Sequence, residues 1–379
     1  MWANRKSIQT VVDRNSRRAP PYCPSPRCEL HRGAGGTFRR HGRRSIQRYP
    51  YVTYRFLCLA CGTSFSNSFF SLSYRDRLND QYEEIFDLHC LGVPKRGIAR
   101  MIGCSEETVR RKIAKLARWS ILRIARDTSN RKIREPIAYD GLENFAFSQY
   151  DPNNLNHAIG KESFFTYDFN LAPMNRKGRM SERQKRRKRS LEQEFGKYPK
   201  GAIHSTTRSI LERLLEKSEG RLEFHSDNHY AYREVIAGGK NFRLISHKIT
   251  PAKLTRNYRN RLFPVNHLDL LTRQKLAAFK RETIAFSKTS IAMLEGFAVF
   301  AAWKNYCRSI FEKEHVRDNL IHKETPAMRL GITKKRLAFA ELFRTRITSA
   351  QISLHNDWAM LFKRIDPSSR RPIRAYQGI

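Results

Sequence analysis

Four cysteines near the N-terminus have the types and spacing of metal ligands. They form two close pairs, Cys23 with Cys28 and Cys58 with Cys61. Each pair can supply two thiolates from one tight turn, and four thiolates complete the tetrahedral shell of a structural zinc ion. Aromatic and β-branched residues alternate with polar ones between the pairs, which favours short strands. We therefore predict a zinc ribbon over residues 21–75.

The chain carries a large excess of positive charge. Its 379 residues include 73 Lys and Arg against 35 Asp and Glu, a net charge of +38 at pH 7. Because self-repulsion makes this excess costly, a polyanionic partner such as DNA or RNA is the simplest explanation. The start of the chain lacks an apolar signal segment and no long apolar run follows. We therefore expect a cytoplasmic protein with reduced thiols and no membrane contact.

Residues 78–130 have the pattern of a helix-turn-helix DNA-binding domain. A short helical pattern ends at Gly103, which suits a turn, and Ser105 suits the N-cap of a second helix. Apolar residues of that second helix recur at helical spacing, at Val109, Ile113 and Leu116. Basic residues on its open face are candidates for contacts with phosphates or base edges, namely Arg110, Arg111 and Lys112.

Two aspartates each follow an apolar segment with the pattern of a β-strand. Asp140 precedes Gly141, and Asp227 precedes Asn228, so each stands before a turn-prone residue. Adjacent strands would bring the two carboxylates together at their ends. Hard oxygen ligands suit a pair of Mg²⁺ ions, which activate the attacking oxygen and stabilise the leaving oxygen in phosphodiester chemistry. Further strands and helices indicate an α/β domain over residues 134–310.

Three motifs, taken in order, resemble those of bacterial insertion-sequence transposases of the DDE type. Tyr139-Asp140-Gly141 and residues 226–232 resemble the first two aspartate motifs of that family. Residues 281–288, Arg-Glu-Thr-Ile-Ala-Phe-Ser-Lys, resemble its R-K-T-L-x-F-S-K element. The resemblance covers most of residues 21–310. It implies an RNase H-like catalytic core, two catalytic Mg²⁺ ions, and a bacterial nucleoid-associated protein that acts on double-stranded DNA. A homo-oligomer is expected because two DNA ends must be held together.

The resemblance also implies a third acidic ligand. The catalytic glutamate of the family stands 22 positions before the final lysine of that element, and Asn266 occupies this position here. Asp269 is three residues further on, so on a helix it would share a face with Asn266, and we predict it as the third ligand. Glu295 is the alternative. Glu143, Glu282 or an inactive site remain open.

Three basic residues near the predicted site are candidates to hold the DNA end, namely Lys280, Arg281 and Lys288. We predict a helix from His267 to Phe286, and Lys288 stands two residues after it. A basic arm is expected at residues 1–20 and a basic extension at residues 311–379, and we assign neither of them any chemistry.

The sequence thus predicts a multidomain protein with a zinc ribbon, a helix-turn-helix and an α/β RNase H-like catalytic core. The predicted function is that of a DNA transposase of the DDE/DDD type. It would bind the terminal inverted repeats of an insertion element and catalyse magnesium-dependent strand cleavage and strand transfer. The alternatives are a sequence-specific transcription regulator, a decayed transposase copy, and an RNase H-like nuclease that cuts without joining.

Overall fold

The computed structural model describes residues 19–31, 36–45, 52–76, 81–251, 253–280, 283–311, 324–343 and 351–365. Two hydrophobic cores form within these ranges. A small core contains Cys23, Cys28 and Cys58, and a large core joins the elements from Tyr82 to Leu361. The predicted multidomain α/β organisation is confirmed at this level. Over the same ranges, no helix is long and apolar enough to cross a membrane.

The small core belongs to a three-stranded antiparallel sheet in the order β1-β2-β3. Its strands are β1 (Phe38–Ser45), β2 (Val52–Cys58) and β3 (Ser64–Ser66). Aromatic rings fill the core: Phe70 makes edge-to-face contacts with Tyr22 and Phe65, at centroid distances of 5.0 and 6.2 Å. So few residues bury little apolar surface, and units of this size usually need a metal or disulfides for stability.

The large core is built on a five-stranded mixed sheet in the order β6-β5-β4-β7-β8. Its strands are β4 (Ile137–Phe145), β5 (Pro152–Gly160), β6 (Thr166–Pro173), β7 (Leu222–Ser226) and β8 (Ile245–Ile249). β5 is antiparallel to β4 and β6, whereas β7 is parallel to β4 and β8. The pairing of β4 with β7 stops at Ala138 and His225, but β4 stays paired with β5 as far as Phe145. β4 and β7 therefore separate beyond Ala138.

The helices of the described residues are α1 (Tyr82–Cys90), α2 (Lys95–Ile102), α3 (Glu106–Ser129), α4 (Glu182–Phe195), α5 (Ala202–Lys217), α6 (Tyr230–Gly238), α7 (Phe263–Lys275), α8 (Ser290–Tyr306), α9 (Pro326–Arg329), α10 (Phe339–Phe343) and α11 (Asn356–Lys363). α5 packs on β5 and β6, α7 packs on β4 and β5, and α8 packs on β6. α3 lies along α8, so these two helices connect the N-terminal helices to the sheet.

The turn between α2 and α3 has the predicted local structure. Gly103 adopts a left-handed conformation with φ +71°, which ends α2. Ser105 caps α3, because its Oγ accepts a hydrogen bond from the backbone N–H of Thr108 at 3.1 Å. α3 continues to Ser129, next to the predicted end of the helix-turn-helix domain at residue 130. Ile133 then pairs with Ser218 and is buried, so α1–α3 and the sheet share one core rather than two.

The predicted helix from His267 to Phe286 is wrong in its second half. α7 begins at Phe263 and ends at Lys275, and a short 3₁₀ turn follows at Ala277–Phe279. Leu276 and Phe279 are buried in the large core, so the chain turns inward where helical periodicity alone would continue it. Lys280 and Lys288 consequently lie outside helices, and Arg281 is outside the described residues.

The predicted basic extension at 311–379 contains folded parts. The indole N–H of Trp358, on α11, donates to the carbonyl of Phe169 on β6 at 3.0 Å. Asp357 forms an ion pair with Arg213 of α5 at 3.0 Å. α11 is therefore an integral part of the large core. Residues 1–18 of the predicted basic arm lie outside the described residues.

Candidate functional site

The four N-terminal cysteines meet in one cluster. Their sulfur atoms all lie within 4.8 Å of one another. Sγ of Cys23 is 3.6 Å from that of Cys61, and Sγ of Cys28 is 3.8 Å from that of Cys58, so the two sequence pairs face each other. The cluster could hold a metal such as zinc, as the spacing predicted.

Each cysteine pair lies on a tight turn that the backbone closes. The N–H of Cys28 donates to the carbonyl of Ser25 at 3.1 Å, and the N–H of Gly62 donates to the carbonyl of Cys58 at 2.9 Å. Gly62 has φ +71°, a conformation that glycine adopts without strain. The turns therefore aim both thiols of each pair to one side.

The thiols are in an environment that calls for a cation. Burial raises the pKa of Cys23 to about 12 and raises the pKa of Cys28. Thr63 lowers the pKa of Cys61 to about 6 through hydrogen bonds from its hydroxyl and its backbone. Buried thiols take the thiolate form only where a positive charge compensates them. The donor set and its burial therefore fit a bound zinc ion.

Three aspartates reach one cleft from three different elements. Asp140 lies on β4, Asp227 directly follows β7, and Asp269 lies on α7. Asp227 begins the turn into α6, where its Oδ1 accepts a hydrogen bond from the N–H of His229 at 3.0 Å. We call the place where they meet, beside the separation of β4 from β7, the aspartate cleft.

The structure corrects the expected setting of Asp140. This residue is in the middle of β4 rather than at the strand end, because β5 continues to pair with β4 as far as Phe145. Gly141 is part of the strand and not of a turn. A Cβ atom there would lie 2.2 Å from Nδ2 of Asn154, so any other residue would force the Asn154 side chain to move.

The three carboxylates act on one another electrostatically. Burial raises the pKa of Asp140 to about 7, and the charges of Asp269 and Asp227 add to this effect. The N–H of Gly141, which donates to Oδ1 of Asp140 at 2.7 Å, and the nearby His157 act in the opposite direction. The cleft is therefore a concentration of negative charge that a cation would stabilise.

His157 is a site residue that the sequence analysis missed. It lies on β5 directly opposite Asp140 and is fully buried. Its Nε2 is 3.1 Å from Oδ1 of Asp269, and its Nδ1 is 3.1 Å from the carbonyl oxygen of Leu155. The available signal was a polar run, Asn153 to His157, inside a strand that is otherwise apolar.

Among the described residues, the four cysteines are the only group of three or more His, Cys, Asp or Glu whose ligand atoms all lie within 4.8 Å. The oxygens of the three aspartates are thus more widely spaced. Oδ1 of Asp269 is buried next to Nε2 of His157.

Glu295, the alternative third acid, lies elsewhere. It is 3% exposed on α8, and its Oε1 accepts an ion pair from Nε of Arg364 at 2.7 Å. Burial raises its pKa, while Arg364 and Lys95 lower it. The structure thus places Glu295 in the helical core. Glu143 is an exposed residue of β4, and Glu282 is outside the described residues.

Two of the basic candidates near the cleft are exposed beside the second half of β4. Lys280 follows Ala278, whose carbonyl accepts a hydrogen bond from Asn144 at 2.9 Å. Lys288 places its Nζ 3.9 Å from the centre of the Phe286 ring. Neither residue has an ion pair within the described ranges, so both charges are available to an anion.

The three basic residues of α3 differ from one another. Arg110 and Arg111 are partly exposed, and both form ion pairs with Glu107, at 3.0 and 2.9 Å. The prediction that Lys112 lies on the open face of α3 is wrong, because only 3% of the residue is exposed. Its Nζ lies 4.0 Å from the centre of the Tyr82 ring and 3.8 Å from Asp76.

In comparisons with known proteins, no protein family matches the chain, and no curated protein matches it.

Proposed function

We propose that this protein is a DNA transposase that cleaves and joins DNA strands at the aspartate cleft. The observation that carries the proposal is the convergence of Asp140, Asp227 and Asp269 from β4, β7 and α7. The sheet order β6-β5-β4-β7-β8, with three antiparallel strands followed by two parallel ones, is the arrangement expected of an RNase H-like core. Both features support the family resemblance of the motifs.

The cleft fits magnesium. Its donors are hard carboxylate oxygens, and burial together with the charges of Asp269 and Asp227 raises the pKa of Asp140. Bound magnesium would supply the charge that activates the attacking oxygen and stabilises the leaving oxygen.

The protein's own groups would prepare this site. His157 lies against Oδ1 of Asp269 and fixes the position of that carboxylate. The N–H of His229 fixes one oxygen of Asp227. Lys280 and Lys288 would hold phosphates of the DNA that enters the cleft.

DNA recognition would be the task of the N-terminal half. The helix–turn–helix arrangement of α2 and α3 leaves Arg110 and Arg111 partly exposed. The cysteine unit presents a second basic surface, since β1 is almost entirely exposed and carries Arg39, Arg40, Arg43 and Arg44. These surfaces would read and hold the ends of the element, with zinc as the structural metal of the cysteine cluster.

The test is an excision and integration assay with purified protein, Mg²⁺ and DNA from both sides of its gene. Asp227→Asn should lower the rate of cleavage by about 10³-fold or more, because the cleft loses a charged ligand. The matched control is Glu212→Gln, which removes an exposed carboxylate of α5 and should leave the rate unchanged.

The products distinguish the alternatives. Cleavage without a joined product would favour a nuclease. A transcription regulator or a decayed copy would be favoured if the wild-type protein bound the flanks specifically without cleaving them and if Asp227→Asn had no effect on this binding.

A further inference from the structure

A segment between β6 and α5 is anchored at its base by hydrogen bonds and carries a largely exposed helix. We call residues Asn175–Tyr198, which include α4, the α4 arm. At the base, the Asn175 amide donates to the carbonyl of Tyr198 at 2.9 Å, and the N–H of Tyr198 donates back to Oδ1 of Asn175 at 3.0 Å. Tyr198 is buried, and its hydroxyl donates to Asp151 at 3.1 Å. These hydrogen bonds fix the base of the arm beside the sheet.

The helix of the arm is almost entirely exposed. Of its 14 residues, only Leu191 is buried. Its start is stabilised by a capping box, in which the side chains of Ser181 and Gln184 each bond to the other's backbone N–H. A helix that buries a single residue gains little stability from packing. Its sequence therefore serves a purpose other than the formation of a hydrophobic core.

The charges of α4 are mostly uncompensated. It carries six basic residues, Arg183, Lys185, Arg186, Arg187, Lys188 and Arg189. Lys185 pairs with Glu182 at 2.7 Å and Lys188 with Glu192 at 3.6 Å, but none of the four arginines has an ion pair within the described ranges. Like charges three or four residues apart destabilise a helix by about 0.2–0.5 kcal/mol per pair. A bound polyanion would remove this penalty.

A groove of about 750 Å³ lies between α4 and the turn that joins β4 to β5. Its lining is polar and basic and includes Gln149, Tyr150, Arg183, Gln184, Arg186 and Arg187. Arg176 holds the floor in place, since it donates to the carbonyl of Gln149 at 3.3 Å and lies over the Tyr150 ring at 5.5 Å. The groove therefore combines guanidinium groups with amide donors, the groups that bind phosphate.

The groove lies at the same end of the sheet as the aspartate cleft. β4 and β6 are both antiparallel to β5, and β7 is parallel to β4, so β4, β6 and β7 run in the same direction. Their C-terminal ends therefore lie at the same end of the sheet. The arm follows the end of β6, and Asp227 follows the end of β7. The turn that forms the floor also contacts the segment before α8, because the N–H of Phe147 donates to the carbonyl of Ser287 at 2.7 Å. Ser287 precedes Lys288, one of the residues placed to hold DNA.

We propose that the α4 arm binds the phosphate backbone of duplex DNA next to the aspartate cleft. Arg183, Arg186 and Arg187 occupy about 6 Å of helix axis at 1.5 Å per residue. Each DNA strand carries a phosphate about every 3.4 Å of its axis, so the arginines can contact neighbouring phosphates. Such binding is independent of sequence. The proposal rests on the proposed function for its choice of DNA as the polyanion.

The test measures binding of a 40-base-pair duplex to the full chain by fluorescence anisotropy, without Mg²⁺, from about 50 to 200 mM salt. The arm variant carries Arg183→Gln, Arg186→Gln and Arg187→Gln, substitutions that keep good helix formers. The control carries Lys132→Gln, Arg221→Gln and Lys334→Gln, which remove the same charge from exposed residues outside the arm. Both variants must unfold at the wild-type temperature.

We expect the slope of log K against log salt to become less steep by about 3 in the arm variant and to stay near the wild-type value in the control. Equal changes in the two variants would overturn the proposal, because any loss of charge would then have the same effect. So would an arm variant that loses affinity for duplex RNA and keeps its affinity for duplex DNA.

The excision assay separates this proposal from the proposed function. If the wild-type protein neither cuts nor joins DNA but the arm variant still loses its salt dependence, the function fails and the arm remains a DNA-binding element. If the wild-type protein transposes and the slope is unchanged in the arm variant, the function stands and the arm proposal fails.

Discussion

The cysteine cluster and the aspartate cleft are the two candidate metal sites, and they differ in their ligand atoms and in the elements that supply them. The cluster takes soft sulfur ligands from two tight turns and buries three of its four thiols. The cleft takes hard oxygen ligands from two strands and a helix, and its carboxylates stay partly exposed. Closed four-ligand sites are typical of structural metals, whereas a reaction needs a site that substrate can enter. The difference supports our proposal that the first site stabilises its unit and that the second carries out the chemistry.

The largest expected effect is loss of the cysteine unit. Cys58→Ser removes one of four ligands, and a structural zinc site contributes about 10 kcal/mol or more to such a unit. We expect loss of zinc and fast hydrogen exchange over residues 52–76, while residues 137–160 stay protected because they belong to the other core. Zinc analysis and hydrogen-exchange mass spectrometry measure both. Cys104→Ser, at an isolated thiol, is the control and should retain zinc. Unfolding of both cores together in Cys58→Ser would contradict the proposal that the cysteine cluster stabilises the small core.

The second prediction compares a carboxylate of the cleft with one of the core. Glu295→Gln breaks the buried ion pair with Arg364 and should lower the free energy of unfolding by about 2–3 kcal/mol, the guanidinium being partly exposed. Asp269→Asn should instead lower the rate of cleavage with a smaller effect on stability. Urea unfolding and the excision assay measure the two quantities. The reverse result, with activity lost in folded Glu295→Gln, would make Glu295 the third ligand.

The third prediction concerns pH. The pKa of Asp140 is raised to about 7 by burial and by Asp269 and Asp227, whereas an unfolded aspartate titrates near about 4. The folded state therefore binds the proton more tightly, and this contribution to stability, present below pH 4, is lost as pH rises through 7. Without divalent cations at pH 8, Asp140→Asn should have a free energy of unfolding about 1–2 kcal/mol above that of the wild type, a value reduced because the carboxylate is partly exposed. At pH 4 the variant should not be more stable than the wild type.

Unfolding in urea at both pH values measures this difference, and His157, which faces the same carboxylate, is present in both proteins. Added Mg²⁺ at pH 8 should stabilise the wild type and have less effect on the variant. A variant that is less stable than the wild type at pH 8 without cations would show that the aspartates do not repel one another.

The smallest expected effects lie in the groups that support each ligand. Thr63→Val removes the hydroxyl that lies 3.2 Å from Sγ of Cys61 and should lower zinc affinity by about tenfold, because the pKa of that thiol rises. His157→Asn should raise the Mg²⁺ concentration needed for half-maximal cleavage by about tenfold or more. Zinc competition with a chelator and Mg²⁺ titration measure these shifts. An unchanged Mg²⁺ requirement would remove His157 from the site.

Features that depend on neighbours in the chain were predictable. The cysteine turns, the Gly103 turn with the Ser105 cap, and the position of Asp227 after β7 follow from residues within a few positions. Such features have local causes, namely the conformational freedom of glycine, the hydrogen bond of an N-cap, and alternation along a strand.

Features that depend on partners from elsewhere were not predictable. Lys112 stands three residues after Val109 and so shares the inward face of α3, where Asp76 and Tyr82 compensate its charge. α7 ends at Lys275 because the core takes up Leu276, although the periodicity continues.

The amino-acid sequence by itself determined the ligand types, the spacing of the cysteine pairs, the positive charge and the presence of strand-associated aspartates. Only the tertiary structure decided which distant groups meet. It brought Asp269 and His157 to Asp140, enclosed Glu295 with Arg364, and left the arginines of α4 in solvent. The physical reason is that a ligand set drawn from one turn is specified by local backbone geometry, whereas one drawn from several elements depends on how strands pair and helices pack.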